Sequence, residues 1–454
     1  MDSYDVIVIG MGPGGEHVAG TLAERGLSVL GVERGLVGGE CPYWGCIPSK
    51  MMIRAGNALA EARRVPGLAG TVGDVRPDWS LVARRIRDEA TDDWDDQVAV
   101  DRFVGKGGTF LRGTGRVAGV GEVEVDGTLN AATRGIVVAT GTRPAVPPID
   151  GLDQVPYWTN HEAVEATDLP HSLVVLGGGA IGCELAQVML RFGVQVTVVE
   201  AADHLLPMEE PEAGAIIRGV LETEGATVHV GVSARRVDRD GDGVAVVLDG
   251  GLVVRAERLL VATGRRADPA GVGLDAVGVP ADARTAPVDD RCRVTNGVWA
   301  VGDLTGKGAF THVSMYQAGI VIRDILGEDG PAADYRAVPR VTFTDPEVGS
   351  VGLTERQARS SLSNVSVGTA VVASTARGWI HKVGNEGIIK LVADADRGVL
   401  VGATAIGPSG GEVLGALSVA VHAQVPVETL RSMIYAYPTF HRGIEDALRD
   451  LSRP

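Results

Sequence analysis

The chain has 454 residues, 45% of them hydrophobic, and 63 glycines, enough for two or three cores joined by many tight strand-to-helix turns. Its net charge of −16 argues against nucleic acid and anionic membrane surfaces as partners. No apolar run reaches transmembrane length and no basic signal-peptide segment precedes the first strand, so a cytoplasmic protein is expected.

That first strand, Val6-Ile7-Val8-Ile9, runs into Gly10-Met11-Gly12-Pro13-Gly14-Gly15, a helix rich in Ala, Leu and Glu, and a second strand ending at Glu33. The pattern returns about 167 residues later as Leu173-Val174-Val175-Leu176-Gly177-Gly178-Gly179-Ala180-Ile181-Gly182, a helix through Phe192, and a strand ending at Glu200. In both copies 23 residues separate the first glycine from the acidic residue. In such a G-x-G-x-x-G unit the first glycine makes the tight turn and the second lets the backbone approach a pyrophosphate. The third lets helix pack on strand, while the helix N-terminus faces the phosphates and the carboxylate takes ribose hydroxyls. One such loop is weak evidence; two in full context define two dinucleotide-binding units.

Between the copies lies Cys41-Pro42-Tyr43-Trp44-Gly45-Cys46-Ile47-Pro48-Ser49-Lys50. A bridge over four residues closes too small a loop to stabilise a fold greatly, so the pair reads as a redox centre. Pro48-Ser49-Lys50-Met51 reads as a helix start, which would face a Cys46 thiolate with the positive end of a helix dipole and lower its pKa. No second Cys or His pair stands at metal-ligand spacing, and no metal site is expected. Cys183 and Cys292 sit alone in apolar segments and read as small core residues.

Further strands end in Ala139-Thr140-Gly141 and Ala262-Thr263-Gly264, where a small residue lets the chain turn beneath a ligand. Gly297-Val298-Trp299-Ala300-Val301 leads into Gly302-Asp303, a return to the first domain with a carboxylate aimed at a polyol. Alternating strands between Arg340 and Ile406 predict an antiparallel sheet, with helices to follow. The expected fold is α/β, with two Rossmann-like dinucleotide-binding domains and a C-terminal α+β interface domain. The expected boundaries are 1–150, 151–269, 270–336 returning to the first domain, and 337–454.

The ordered set of Gly10-x-Gly12-x-x-Gly15, Glu33, Cys41-x4-Cys46-Ile-Pro-Ser-Lys50, Gly177-x-Gly179-x-x-Gly182-x-Glu184, Ala262-Thr263-Gly264-Arg265 and Gly302-Asp303 spans most of the chain. It resembles the class I pyridine nucleotide-disulfide oxidoreductases, among them glutathione reductase, dihydrolipoamide dehydrogenase and mercuric reductase. The resemblance implies a homodimeric enzyme with FAD in the first unit and a nicotinamide dinucleotide in the second. The implied FAD contacts are Gly10, Gly12, Gly14, Gly15, Glu33, Lys50, Gly115, Thr140, Gly141 and Asp303; those for NAD are Gly177, Gly179, Ile181, Gly182, Glu200 and Gly264. By the same resemblance Lys50 pairs with Glu184 beside the flavin, Cys46 is the thiol nearest the flavin, and Cys41 meets the substrate. His312 falls where the family places a helix N-terminus against the flavin pyrimidine. Glu200 accepts ribose hydroxyls and repels a 2′-phosphate, and Ala201-Ala202-Asp203 supplies no arginine for one, so NADH is expected over NADPH.

Two positions depart from the family pattern. Glu40 stands before the first cysteine, where many relatives have Thr. Tyr437, in Tyr435-Ala436-Tyr437-Pro438-Thr439-Phe440-His441, stands where the disulfide reductases carry the acid/base His. A tyrosine, with an ordinary pKa near 10, exchanges protons poorly around neutral pH. Thr439 could cap a helix that puts His441 and Glu445 at i and i+4, a substitute dyad. Mercuric reductase resembles the chain in its tyrosine, but its C-terminal cysteine pair has no counterpart in Asp450-Leu451-Ser452-Arg453-Pro454. The expected acceptor is a disulfide or another thiol-reactive small molecule. A quinone reductase, a transhydrogenase-like flavoprotein and a mercury reductase are the alternatives.

Overall fold

The computed structural model describes residues 1–451, which fall into two compact units. The first comprises Met1–Ser49, Arg84–Ala145 and Arg265–Tyr335. Its central strand Ser3–Ile9 lies between Thr128–Val138 and Val29–Glu33, both parallel to it. Val298–Ala300 extends the sheet beyond Thr128–Val138, and Thr109–Arg112 extends it beyond Val29–Glu33, again in parallel. A parallel sheet needs cover on both faces, and its inner strands are accordingly apolar and buried along Val6–Ile9 and Ile136–Val138. Val6, Val8 and Val137 face one core with Val18, Leu22 and Val321, from the helices Pro13–Glu24 and Thr311–Leu326. The alternating residues Ile7, Ile9 and Ile136 face another with Val117, Leu274 and Leu304. Phe103, 1% exposed, fills the first core, and its truncation to alanine is worth about 3–5 kcal/mol.

The second unit comprises Lys50–Ala83, Val146–Gly264 and, of the described residues, 336–451. It holds a four-stranded parallel sheet in the order Thr227–Val230, Gln195–Glu200, Ser172–Leu176, Arg258–Val261. The antiparallel strands Ala234–Asp240, Gly243–Leu248 and Val253–Ala256 share a core with it, through Val174, Leu176 and Val261. The remainder builds the antiparallel sheet expected between Arg340 and Ile406, five strands in the order Pro339–Thr342, Glu347–Gly352, Val399–Gly407, Ile388–Asp394, Val365–Val371. The helices Gly410–His422 and Gly443–Asp450 contribute Leu414, Leu417, Ile444 and Leu448 to its core. The architecture is the expected α/β one, because the strand-glycine-helix periodicity is local and each copy folds on its own pattern. Among the described residues no helix is long and apolar enough to cross a membrane.

Candidate active site

The two glycine loops are built alike. Gly10 and Gly177 have φ of +92° and +106°, and a Cβ at either would collide with the carbonyl of Ala139 or Ala262, so both the turn and the close strand packing demand glycine. A Cβ at Gly12 or Gly179 would meet nothing within 4 Å. Open space therefore lies over both loops where the helices Pro13–Glu24 and Ala180–Arg191 begin, which is where the phosphates of a dinucleotide would sit.

The acidic residues that close the two units also match. Glu33 Oε2 accepts the Met11 N–H at 2.8 Å and Oε1 that of Gly35 at 2.7 Å. Glu200 Oε2 accepts the Gly178 N–H at 2.6 Å and Oε1 that of Ala202 at 2.7 Å. Each carboxylate is pinned at the mouth of its loop, and each oxygen retains a lone pair for a sugar hydroxyl. Both sites fit a dinucleotide on geometry of their own.

The cysteine loop adjoins the first of these cradles. The Gly38 N–H donates to Met11 O at 2.7 Å, and a Cβ at Gly39 would lie 3.0 Å from the Gly12 Cα. Cys41 lies in the short helix Glu40–Tyr43, and Cys46 itself opens the helix Cys46–Arg64, earlier than the Pro48 start read from sequence. Pro48 is still in the first turn, where its missing N–H costs nothing. The Cys41 thiol, half-buried, is pushed well above the ordinary range by its hydrogen bond with Cys46 and then by burial. Cys46 is exposed and its Sγ lies 3.5 Å from Thr311 Oγ1. Thr311 opens the helix Thr311–Leu326, and its neighbour His312 stacks on Phe310 with ring centroids 5.2 Å apart.

One turn beyond Cys46, Lys50 Nζ donates to Glu184 Oε2 at 2.9 Å. Glu184, 5% exposed, accepts the Phe343 N–H on Oε1 at 2.8 Å, and the Phe343 ring lies 4.7 Å from the Lys50 ammonium. Asp303 follows the strand Val298–Ala300, and loss of solvation raises its carboxyl while a hydrogen bond from Thr142 and the charge of Arg265 oppose that rise. Cys183 and Cys292 are fully buried, the latter thiol pushed up to about 11 by burial.

The C-terminal segment differs from the dyad read in the sequence. Thr439 Oγ1 turns back to donate to Ala436 O at 2.6 Å, and the last helix starts only at Gly443, so His441 precedes it. Glu445 binds Arg442 at 3.0 Å and Arg449 at 2.6 Å, while His441 Nε2 lies 3.4 Å from Thr439 Oγ1. Flanking guanidinium groups hold a carboxylate more strongly than a neutral imidazole does, and a His441–Glu445 pair is not assembled. Tyr437 is 68% exposed, and the Arg442 guanidinium lies 5.1 Å from its ring centroid.

Sequence reasoning did not reach Thr311, Phe343 or Thr142. Thr311 stands 265 residues from Cys46, and a hydroxyl at a helix start carries no signal of such a partner.

Two nucleotide cradles, one with a dithiol loop on its rim, define a two-dinucleotide oxidoreductase. Residues 4–318 match the pyridine nucleotide-disulphide oxidoreductase family, and residues 338–448 match the dimerisation domain of that family. The chain is 34% identical to a mercuric reductase of Streptomyces lividans over 97% of this chain and 95% of that one. It is 33% identical to a dihydrolipoyl dehydrogenase of Thermus scotoductus over 100% and 98%. Among solved structures, the HOCl-induced flavoprotein disulfide reductase RclA of Escherichia coli superposes with a TM-score of 0.84 at 27% identity, covering 99% of both chains. LpdA of Mycobacterium tuberculosis does so with a TM-score of 0.85 at 25% identity, again covering 99% of both. The chain belongs to the pyridine nucleotide-disulfide oxidoreductase family; it is an FAD-dependent flavoprotein oxidoreductase that uses a pyridine nucleotide.

Proposed function

We propose that the protein is a homodimeric NADH-dependent reductase in which Cys41 and Cys46 form the redox-active pair and a disulfide or other thiol-reactive small molecule is the acceptor. The observation that carries this reading is the contact between the two cysteines on a loop packed against the Gly12 cradle. FAD would be held by the Gly10–Gly15 loop, Glu33 and Asp303, and when bound would supply two-electron chemistry between a nicotinamide and a disulfide. The Cys41–Cys46 bond takes up two electrons and a proton, leaving Cys46 as a thiolate at a helix N-terminus and Cys41 as a thiol. Cys41 must then lose its proton before its sulfur attacks the acceptor disulfide, expelling one thiol and forming a mixed disulfide that Cys46 resolves. Because Cys46 contact and burial hold that proton on Cys41, a base is required, and Tyr437 is poorly suited to supply one.

Glu200 supports NADH: its carboxylate, fixed by Gly178 and Ala202, stands where a 2′-phosphate would bring like charge. The dimerisation-domain match supports the homodimer. The test is a panel of disulfides, quinones and Hg(II) assayed with NADH in wild type, Cys41→Ser and Cys46→Ser. Acceptor turnover lost in both variants supports the reading. Turnover of a quinone that survives both substitutions assigns the cysteines a role outside the electron path and overturns it.

A further inference from the structure

The residue ahead of Cys41 is Glu40, whose Oε2 lies 3.3 Å from Nη1 of Arg265. The same guanidinium donates from Nε to Thr142 Oγ1 and from Nη2 to Thr142 O, both at 2.8 Å. Held as an acceptor by Arg265, the Thr142 hydroxyl points its own proton away, and donates it to Asp303 Oδ2 at 2.9 Å. Glu40, Thr142, Arg265 and Asp303 come from all three stretches of the first unit and make one directed chain. The Arg265 side chain is only 16% exposed, so this is no loosely solvated surface pair. At one end stands the cysteine loop, and at the other the carboxylate assigned to the cofactor's polyol.

We infer that Arg265 is a positioning residue that fixes the cysteine loop and the Asp303 carboxylate with respect to each other, and that Glu40 is the loop's point of attachment. The inference rests on the assignment of FAD to this unit and of Cys41 and Cys46 to the redox pair. Three donors of one planar fork are used at three acceptors, a task a point charge on a flexible stem cannot perform. The hydroxyl relay holds Asp303 Oδ2 through Thr142 and so sets the orientation of the carboxylate. Glu40, bound to the guanidinium, holds the start of the Glu40–Tyr43 turn, and with it the Cys41 sulfur.

The experiment compares wild type with Arg265→Lys, Arg265→Met, Glu40→Gln and the Arg265→Met/Glu40→Gln double variant. Two quantities are read: the FAD dissociation constant, by titrating the apoprotein and following flavin fluorescence, and the long-wavelength absorbance after anaerobic addition of one equivalent of NADH. Arg265→Met should weaken FAD binding about 10–100-fold, the loss of a charge-assisted hydrogen bond, and Arg265→Lys should recover little of it. Glu40→Gln should bind FAD within about 3-fold of wild type yet lose roughly half of the long-wavelength band, because half an ångström of loop displacement is enough to spoil such a contact. The double variant should match Arg265→Met, since Glu40 acts through the arginine. Full rescue by lysine, independent addition of the two single effects, or an unchanged band in Glu40→Gln would each overturn the inference; the last needs no arginine variant to fold. A wild-type protein that binds no FAD, or gives no band, would instead overturn the function on which it rests.

Discussion

Lys50 Nζ sits 2.9 Å from Glu184 Oε2, and the other oxygen of that carboxylate is bound to the backbone of Phe343. A buried carboxylate with both oxygens engaged fixes the direction of the ammonium more tightly than a solvated pair could. Lys50→Met should slow flavin reduction by NADH about 10–100-fold in protein saturated with FAD, the worth of one charge-assisted contact. Stopped-flow bleaching of the flavin checks it. Glu184→Gln should do less harm than Glu184→Leu, which removes the carboxylate acceptor of both Lys50 and the Phe343 N–H.

The two thiols predict a spectroscopic difference between them. Anaerobic NADH should give wild type a long-wavelength band from the Cys46 thiolate beside oxidised flavin. Cys46→Ser should abolish the band with flavin still bound, while Cys41→Ser should show it without any reductant. Direct bleaching of wild type, with no band at any stage, contradicts the assignment of Cys46.

At the second cradle, Glu200→Ala removes both a charge and two loop hydrogen bonds. The kcat/KM for NADH should fall about 10-fold, while that for NADPH falls less or rises, narrowing the preference. A wild-type kcat/KM already higher with NADPH would refute the reading of Glu200.

Tyr437 predicts slow thiol-disulfide turnover with glutathione disulfide or lipoamide, about 10²–10⁴-fold short of an enzyme with a positioned acid/base group. With Glu445 held by Arg442 and Arg449, His441→Ala should change acceptor turnover by less than about 3-fold. A large loss in that variant, with flavin reduction unaffected, would show that the imidazole serves after all.

Lys390, 3% exposed, lies within 3.0 Å of carboxylate oxygens of Glu210, Glu212 and Glu355. Burial works against its charge, but the three carboxylates outweigh it, and the ammonium is held above the ordinary lysine range. That contribution is complete at neutral pH and is lost only as pH rises through the raised value. Glu355, held low chiefly by Lys390, contributes above the ordinary glutamate range and loses this as pH falls. Lys390→Met strands the buried Glu210 and should cost about 3–5 kcal/mol near neutral pH. The deficit should shrink in acid, where wild type loses the share of the pairing that Glu355 supplies. Urea unfolding midpoints at the two pH values decide it, and a deficit that grows in acid would contradict the pairing.

What the sequence by itself determined is whatever depends on neighbours along the chain. Gly10 and Gly177 announce their turns because only glycine tolerates that backbone against a neighbouring strand, and Glu33 and Glu200 follow at a spacing set by one helix and one strand. The cysteine loop was legible for the same reason. His441 and Glu445 show the limit of local reasoning: their spacing assumes a helix beginning at Thr439, but that hydroxyl turned back to Ala436 and two arginines took the carboxylate. Only the tertiary structure decided that Thr311 meets Cys46, that Phe343 closes on Glu184, and that Arg265 ties Glu40 to Thr142 and Asp303. Each of those pairings joins residues about 100 or more positions apart, and a single hydroxyl, ring or guanidinium leaves no periodic trace of the partner that packing brings to it.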